Sequence, residues 1–252
     1  MHRFYLPPEQ CQGDLLTLSG NEAHHALKVL RIQPGARVII LNGAGTQFLC
    51  EVAGVKRDQA SLSVQERRSI APRPYQLTLA QALPKGKLFE SIVQQATELG
   101  ATEIVPLLTE RVVAHLDRKD QPQKLHKWQA VAIEAIKQCG SAWLPKVTPA
   151  LAPQQLVKRA SEFELGLVGS LQPGAHHPRH HLKAFQSEQG RMPRSVCVWI
   201  GPEGDFTAEE LKLIRGSGAC PITLGPLVLR TETAALYCLS FLNYELTFGG
   251  RD

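Results

Sequence analysis

The chain has 252 residues, 43% of them hydrophobic, and 28 Lys and Arg against 23 Asp and Glu give a formal net charge of +5. This composition excludes an intrinsically disordered or collagen-like chain, and no run of 18 uncharged apolar residues offers a transmembrane helix. Met1-His2-Arg3-Phe4-Tyr5-Leu6-Pro7 lacks the apolar block of a signal peptide, so a cytoplasmic protein is expected, and its modest positive charge suits a polyanionic partner. The six cysteines lie far apart with no CxxC pair and read as reduced, packing thiols.

Residues 1 to about 72 read as a small β-rich module. Arg3–Leu6, Arg37–Leu41, Gln47–Val55 and Ala60–Gln65 are expected strands, with turns at Asn42-Gly43-Ala44-Gly45 and Lys56-Arg57-Asp58-Gln59. A helix between them opens on Ser19 with Glu22 three residues later, the pattern of a capping box, and sets Ala23, Ala26, Leu27 and Leu30 on one face. His24 and His25 point in different directions on that helix and make no metal pair. Lys56, Arg57, Arg67, Arg68, Arg31 and Arg37 put charge on turns and strand ends, where it meets either a phosphate backbone or water.

Pro72-Arg73-Pro74 is the expected domain seam, since two prolines enforce an extended, stiff connection. Beyond it the pattern alternates: a strand at Tyr75–Leu83, a turn at Pro84–Lys87, a helix over Leu88–Leu99 closed by Gly100 at C′, and a strand at Glu103–Leu108. That is a βαβ unit, from which a parallel sheet follows. A long helix spans about Lys124 to Gln138. The prolines of Pro145–Pro149 allow only an edge strand, Pro153–Ala160 is a helix, and Phe163–Val168 is a buried strand ending at Gly169. From Ser170 to Pro193 the periodicity dissolves into a Pro/Gly/His-rich excursion from the sheet. His176, His177, His180 and His181 have no cysteine near them and Pro178 interrupts i,i+4 spacing, so no metal is expected there.

The stretch from Trp199 onward carries the chemistry. An apolar run, Val196–Ile200, stops at Gly201-Pro202-Glu203-Gly204, and Thr207-Ala208-Glu209-Glu210 opens a helix. Pro221–Leu224 repeats the plan, but Gly225-Pro226 is followed by Leu227-Val228-Leu229 and then Arg230-Thr231-Glu232-Thr233. Burying each aliphatic side chain is worth about 1.5–3 kcal/mol, so three in one loop are expected to cover something. Ligands of open α/β sheets bind beyond the carboxyl ends of strands, and two neighbouring glycine-bearing ends are expected to form such a pocket. Neither loop has a phosphate-cradling pattern, which favours an adenosyl group without phosphates. The final helix, Thr231–Phe248, is apolar nearly all round and belongs in the core or against a second subunit, most simply in a C₂ homodimer.

Taken in order, Arg3–Leu6, His24–Arg31 with Gly35, Gln81–Lys87, Gln95–Gly100, Glu110-Arg111, Glu134-Ala135 with Gln138, Ile200–Gly204, and Leu224–Pro226 with Leu229–Ala234 resemble the RsmE-type 16S ribosomal RNA uridine-N3 methyltransferases of the SPOUT class. The resemblance covers nearly the whole chain. It implies a PUA-like RNA-binding β-barrel over residues 1–72 and a SPOUT methyltransferase domain over 73–252. In the second, an α/β fold with a parallel sheet ends in a trefoil knot that holds S-adenosylmethionine. A homodimer is implied, and a substrate in 16S rRNA or the small ribosomal subunit. No membrane or metal is involved. The chain departs from the family at Asp205, where a second glycine is usual, and at Gly140-Ser141-Ala142, where an arginine is common.

With that resemblance, the residues expected to hold the cofactor are Gly169, Ile200, Gly201, Pro202, Glu203, Gly204, Leu224, Gly225, Leu227, Leu229 and Thr233. Uracil N3 carries an imide proton that must leave, so the site needs a cation for the developing anion and a proton acceptor. Arg230 is the expected cation. Glu232 is either the acceptor or the group that orients Arg230, or else an ordinary first-turn acid with Thr231 as helix cap. Arg31, Lys85, Lys87 and Arg111 are expected on RNA phosphates. Two other readings stay open: a non-catalytic or differently targeted RNA-binding protein of the same fold, and a nucleotide-dependent metabolic enzyme on an ordinary doubly wound sheet, which lacks the phosphate loop it needs.

Overall fold

Alternation of apolar and polar residues builds the first part of the chain, seen here in a computed structural model that describes residues 1–86, 88–111 and 118–249. The strands β1 (His2–Tyr5), β2 (Leu15–Leu18), β3 (Arg37–Leu41), β4 (Thr46–Lys56) and β5 (Gln59–Ser69) form one sheet in the order β1-β3-β4-β5-β2. All pairs are antiparallel except β1 with β3. One face closes over Phe4, Leu16, Leu18, Val38, Ile40, Phe48, Cys50, Val52 and Leu62. Strand β2 was not expected. Its Leu-Leu-Thr-Leu run has a leucine on both faces, and only Leu16 and Leu18 turn inward while Leu15 stays exposed.

The helix α1 (Gly20–His24) continues as a π-helical turn, His25–Val29. Its expected capping box is absent, because Ser19 makes no side-chain cap bond. Glu22 turns elsewhere: its carboxylate accepts from the Tyr5 N–H at 3.1 Å and from Lys137 Nζ at 2.8 Å. A buried ammonium and a strand N–H need an acceptor more than the helix end does, and tertiary contacts outcompete the local cap. Burial pulls the Lys137 pKa down, but hydrogen bonds to Glu134 and Glu22 more than offset it and hold the value above the ordinary lysine range.

The remaining strands, β6 (Gln76–Ala82), β7 (Glu103–Leu107), β8 (Lys146–Val147), β9 (Leu165–Gly169), β10 (Ser195–Ile200) and β11 (Cys220–Ile222), form a sheet in the order β11-β9-β10-β6-β7-β8. Every pair is parallel, as the βαβ pattern required. The proline-flanked β8 lies at the edge. Strands β10 and β11, expected to be neighbours, are separated by β9.

The helices are α2 (Leu88–Glu98), α3 (Gln121–Cys139), α4 (Pro153–Leu156, extended by a 3₁₀ turn to Glu162), α5 (Pro178–Gln189), α6 (Ala208–Gly216) and α7 (Thr231–Phe248). On one face, α4 and α6 pack with Ala80, Val105, Val168, Cys197, Trp199, Phe206 and Ile214 in a common core. Helix α7 packs on α2, β6 and β10. Helix α5 stands where a structureless excursion was expected. Pro178 occupies its N1 position and the His177 ring accepts from the Arg179 N–H as N-cap, so the proline that seemed to break a helix begins one. Helix α7 does have a wet face: Thr233, Tyr237, Ser240, Tyr244 and Phe248 are exposed.

Two compact units result, one of Met1–Pro72 with Ile133–Leu144 and one of Arg73–Ala132 with Pro145–Asp252. In the first, Arg3 donates to the carbonyls of Lys137 and Gln138, so a guanidinium lies beside Gly140, in the stretch where the family's arginine is missing. All six cysteines are free thiols. No helix of the described residues is long and apolar enough to cross a membrane. Among the described residues, no group of three or more His, Cys, Asp and Glu is arranged to hold a metal ion.

Candidate functional site

The carboxyl ends of β9, β10 and β11 and the first turn of α7 enclose a cavity of about 300 Å³. Three loops build it: Gly169–Leu171, Gly201–Asp205 and Thr223–Arg230. Of the eleven residues expected to hold the cofactor, Gly169, Ile200, Gly201, Pro202, Glu203, Leu224, Gly225, Leu227 and Leu229 line the cavity. Gly204 does not; it is exposed and its carbonyl accepts from Arg111 Nη1 at 2.6 Å. Thr233 also lies outside the lining, on the exposed face of α7.

Geometry favours glycine at two of these positions. A Cβ on Gly201 would stand 3.2 Å from Asp205 Oδ1 and from the Phe206 nitrogen, with Phe206 Cδ2 at 3.3 Å, so a side chain there would require these neighbours to give by a few tenths of an ångström. Gly225 has φ +116°, a conformation that side chains rarely adopt, although the space around it is open. Asp205 sits at φ +61° and lines the cavity, with its Oδ1 accepting from the Phe206 N–H at 2.8 Å.

Leu227 and Val228 are 75% and 76% exposed, contrary to the expectation that the aliphatic loop is buried. They line one wall of the cavity and are largely uncovered by the described residues. Only Leu229 is half-buried.

Arg230 is exposed at the rim and is the N-cap residue of α7. Glu232 is half-buried in the first turn. Thr231, expected as the cap, is instead the first helical residue and is buried; its hydroxyl donates to the Gly201 carbonyl at 2.6 Å and accepts from Gln81 Nε2 at 2.8 Å. Lys85 and Arg111 both meet the Pro202–Gly204 turn: the Lys85 N–H donates to Glu203 Oε1 at 3.3 Å, and Arg111 binds Gly204 as above. Lys87 lies outside the described residues. Arg31 is exposed in the first unit with φ +52°.

The lining also includes Val228 of the aliphatic loop, and Ser170, Leu171, Ile222, Thr223, Thr231 and Ala234, these six not among the expected cofactor residues. Ser170 and Leu171 follow a strand end in the same way as Gly201 follows Ile200, and the only available signal was an apolar residue two past a glycine. Nothing local marks Thr223 or Ala234.

A mostly apolar socket at the carboxyl ends of a parallel sheet, with a cation at its rim, has the place and character of the small-molecule sites of α/β proteins. An RNA methyltransferase domain matches residues 71–243, and an RNA methyltransferase PUA domain matches residues 18–65. Ribosomal RNA small subunit methyltransferase E of Bacillus subtilis is 32% identical over 97% of each chain. The protein of that name from Synechocystis is 34% identical over 96% of this chain and 77% of its own. A putative methyltransferase from Legionella pneumophila, solved in complex with the bound cofactor SAM, superposes with a TM-score of 0.87 at 34% identity over 96% of both chains. The chain belongs to the ribosomal RNA small subunit methyltransferase E family, and its fold is the α/β architecture of the SPOUT class, with a parallel sheet and a PUA-like module at the N-terminus.

Proposed function

We propose that the protein transfers the methyl group of S-adenosylmethionine to N3 of a uridine in 16S ribosomal RNA. The observation that carries this reading is the socket: three strand-end loops make a cavity of about 300 Å³, at the lower end of the size range of small-molecule sites and free of any phosphate cradle. Its residues suit an adenosyl sulfonium compound. Ile200, Leu224 and Leu229 offer apolar walls for a purine, the Gly201 and Gly225 turns bring backbone close, and the carboxylates of Asp205 and Glu203 suit hydroxyl and ammonium donors. When bound, the donor supplies a methyl group on positively charged sulfur, which leaves as a neutral thioether and needs no acid.

The protein's own part is to position uracil and manage its proton. Arg230, at the rim, stabilises the negative charge that develops across N3 and its flanking carbonyl oxygens. Glu232, two residues further along in the first turn of α7, accepts the proton or orients the guanidinium. Lys85, Lys87, Arg111 and Arg31 hold RNA phosphates. Arg111 spends one N–H on Gly204, and among the described residues its other donors remain for that role. Residues 1–72 act as the RNA-binding module and 73–252 as the methyltransferase domain. The protein works in the cytoplasm as a homodimer, supported by the aromatic stripe Tyr237, Tyr244 and Phe248 that α7 leaves exposed.

Calorimetry with S-adenosylmethionine, followed by tritium transfer to small ribosomal subunits, tests the reading. Donor binding with incorporation into 16S rRNA is expected. Binding of RNA without binding of the donor would favour a non-catalytic RNA-binding protein instead.

A further inference from the structure

Strand β6 is buried from Leu77 to its last residue, Ala82, yet its penultimate residue is a glutamine. Gln81 is 0% exposed, in a run where Leu77, Leu79, Ala80 and Ala82 are all buried and apolar. The parallel register sets Gln81 opposite Ile200, the residue before the Gly201 turn. Side chains alternate along a strand, so Gln81 shares a face with Leu79 and Leu77, opposite to Ala80, which belongs to the α4 and α6 core. Its amide meets the start of α7.

The hydrogen bonds there run in one direction. Gln81 Nε2 donates to the Ala82 carbonyl at 2.9 Å, and because that oxygen can only accept, the amide orientation is fixed. Nε2 also donates to Thr231 Oγ1 at 2.8 Å, and Oγ1 in turn sends its proton to the Gly201 carbonyl at 2.6 Å. Gln81 Oε1 is buried with no partner among the described residues. A buried acceptor left unpaired argues against a role in stability alone, since an apolar residue of the same volume would leave nothing unsatisfied.

We infer that Gln81 and Thr231 are positioning residues for methyl transfer. They lock the Gly201 turn and the first residue of α7 into one unit, and so fix the rim residue Arg230 relative to the floor of the socket. This rests on the assignment of the socket to the methyl donor. Thr231 carries the connection because its hydroxyl is donor and acceptor at once. Valine has the same shape and neither function; serine keeps both. Gln81 is not itself part of the lining and acts through Thr231, which is.

The test compares Thr231→Val, Thr231→Ser and Gln81→Met by calorimetric Kd for S-adenosylmethionine and by kcat at saturating donor. Circular dichroism melts report the folded fraction at the assay temperature. One buried hydrogen bond is worth up to about tenfold, so Thr231→Val should weaken donor binding by about tenfold. Its kcat should fall by a further ~10-fold or more through misplacement of Arg230. Thr231→Ser should recover most of both. Gln81→Met should weaken donor binding by less than Thr231→Val, and the double variant should be no worse than Thr231→Val alone, because the two act in series. Equal behaviour of the valine and serine variants, multiplicative effects in the double variant, or losses that merely follow the unfolded fraction would overturn the inference. If Thr231→Val does not fold, Gln81→Met with unchanged Kd and kcat overturns it equally. A wild-type protein that binds no donor would instead remove the reading of the socket.

Discussion

Replacing Gly201 by valine is the sharpest perturbation of the socket. The new Cβ would lie 3.2 Å from Asp205 Oδ1 and the Phe206 nitrogen, and 3.3 Å from Phe206 Cδ2. Each distance is short of ordinary van der Waals contact by a few tenths of an ångström. Neither neighbour can yield freely: Phe206 is 4% exposed within the α4 and α6 core, and Asp205 Oδ1 is held by the Phe206 N–H at 2.8 Å. Overpacking of this kind costs about 1–3 kcal/mol, and the two γ-methyls of valine add bulk to a cavity wall. If the strain is relieved by displacing the turn, the cost appears in donor affinity, as roughly a 5- to 150-fold rise in Kd at about 1.4 kcal/mol per tenfold. Calorimetry with S-adenosylmethionine reads it directly, with Gly201→Ala giving a smaller rise of the same sign. Undiminished binding by a folded Gly201→Val protein would place the donor elsewhere and refute the argument.

Gly225→Val meets open space, so its effect comes through backbone strain at φ +116°: about 1–3 kcal/mol, lost from loop order and donor affinity with little change in melting temperature. Arg230→Ala should lower kcat by roughly 100- to 1,000-fold while leaving the donor Kd within about threefold, measured by tritium incorporation and calorimetry. Full activity would remove Arg230 from the mechanism. Glu22→Gln weakens the acceptor set of the buried Lys137 and should destabilise the protein by about 1–3 kcal/mol in urea titrations. Because the Lys137 pKa is raised in the fold, its contribution is complete below the unfolded lysine value of about 10.4 and is lost as pH climbs through the folded value. Denaturation midpoints should therefore hold up to about pH 10.4 and fall above it, and fall less in Glu22→Gln. Burial pushes the Cys50 thiol up to about 11 and the Cys238 thiol up to about 12, so at pH 8 iodoacetamide should label the exposed Cys139 and spare both.

Much of this architecture was legible because it is written in short-range periodicity. The βαβ pattern from Tyr75 to Leu108, the C′ glycine at Gly100 and the proline-bound edge strand β8 all follow from local rules that tertiary structure does not override. What was lost is non-local. That β9 lies between β10 and β11 depends on how the chain crosses over, which no residue of the two glycine turns encodes. Glu22 satisfies a cap motif in sequence, and only the fold brings Lys137 and Tyr5 within its reach. Helix α5 was hidden because Pro178 reads as a breaker until its place at N1 is known, and because Leu182 is the sole buried apolar residue beyond it.

The cavity shows the same division. Its glycines and aliphatic loop stand out in the sequence, since a greasy turn is unusual. Thr231 reads equally well as a helix cap, and Gln81 as one polar residue in an apolar strand. Their partnership across 150 residues is visible only in three dimensions. The exposure of Leu227 and Val228 also defeats a single-chain argument: the hydrophobic effect says that such residues seek cover, and does not say that the cover comes from the same chain.

The central claim is most directly tested by incubating the purified protein with small ribosomal subunits from cells that lack its gene, using S-adenosylmethionine labelled with heavy carbon in the methyl group, and digesting the 16S rRNA to nucleosides for mass spectrometry. The account predicts heavy 3-methyluridine at a single site, absent when Arg230→Ala replaces the wild type. Heavy label in another nucleoside, or none at all from a protein that binds the donor, would contradict it.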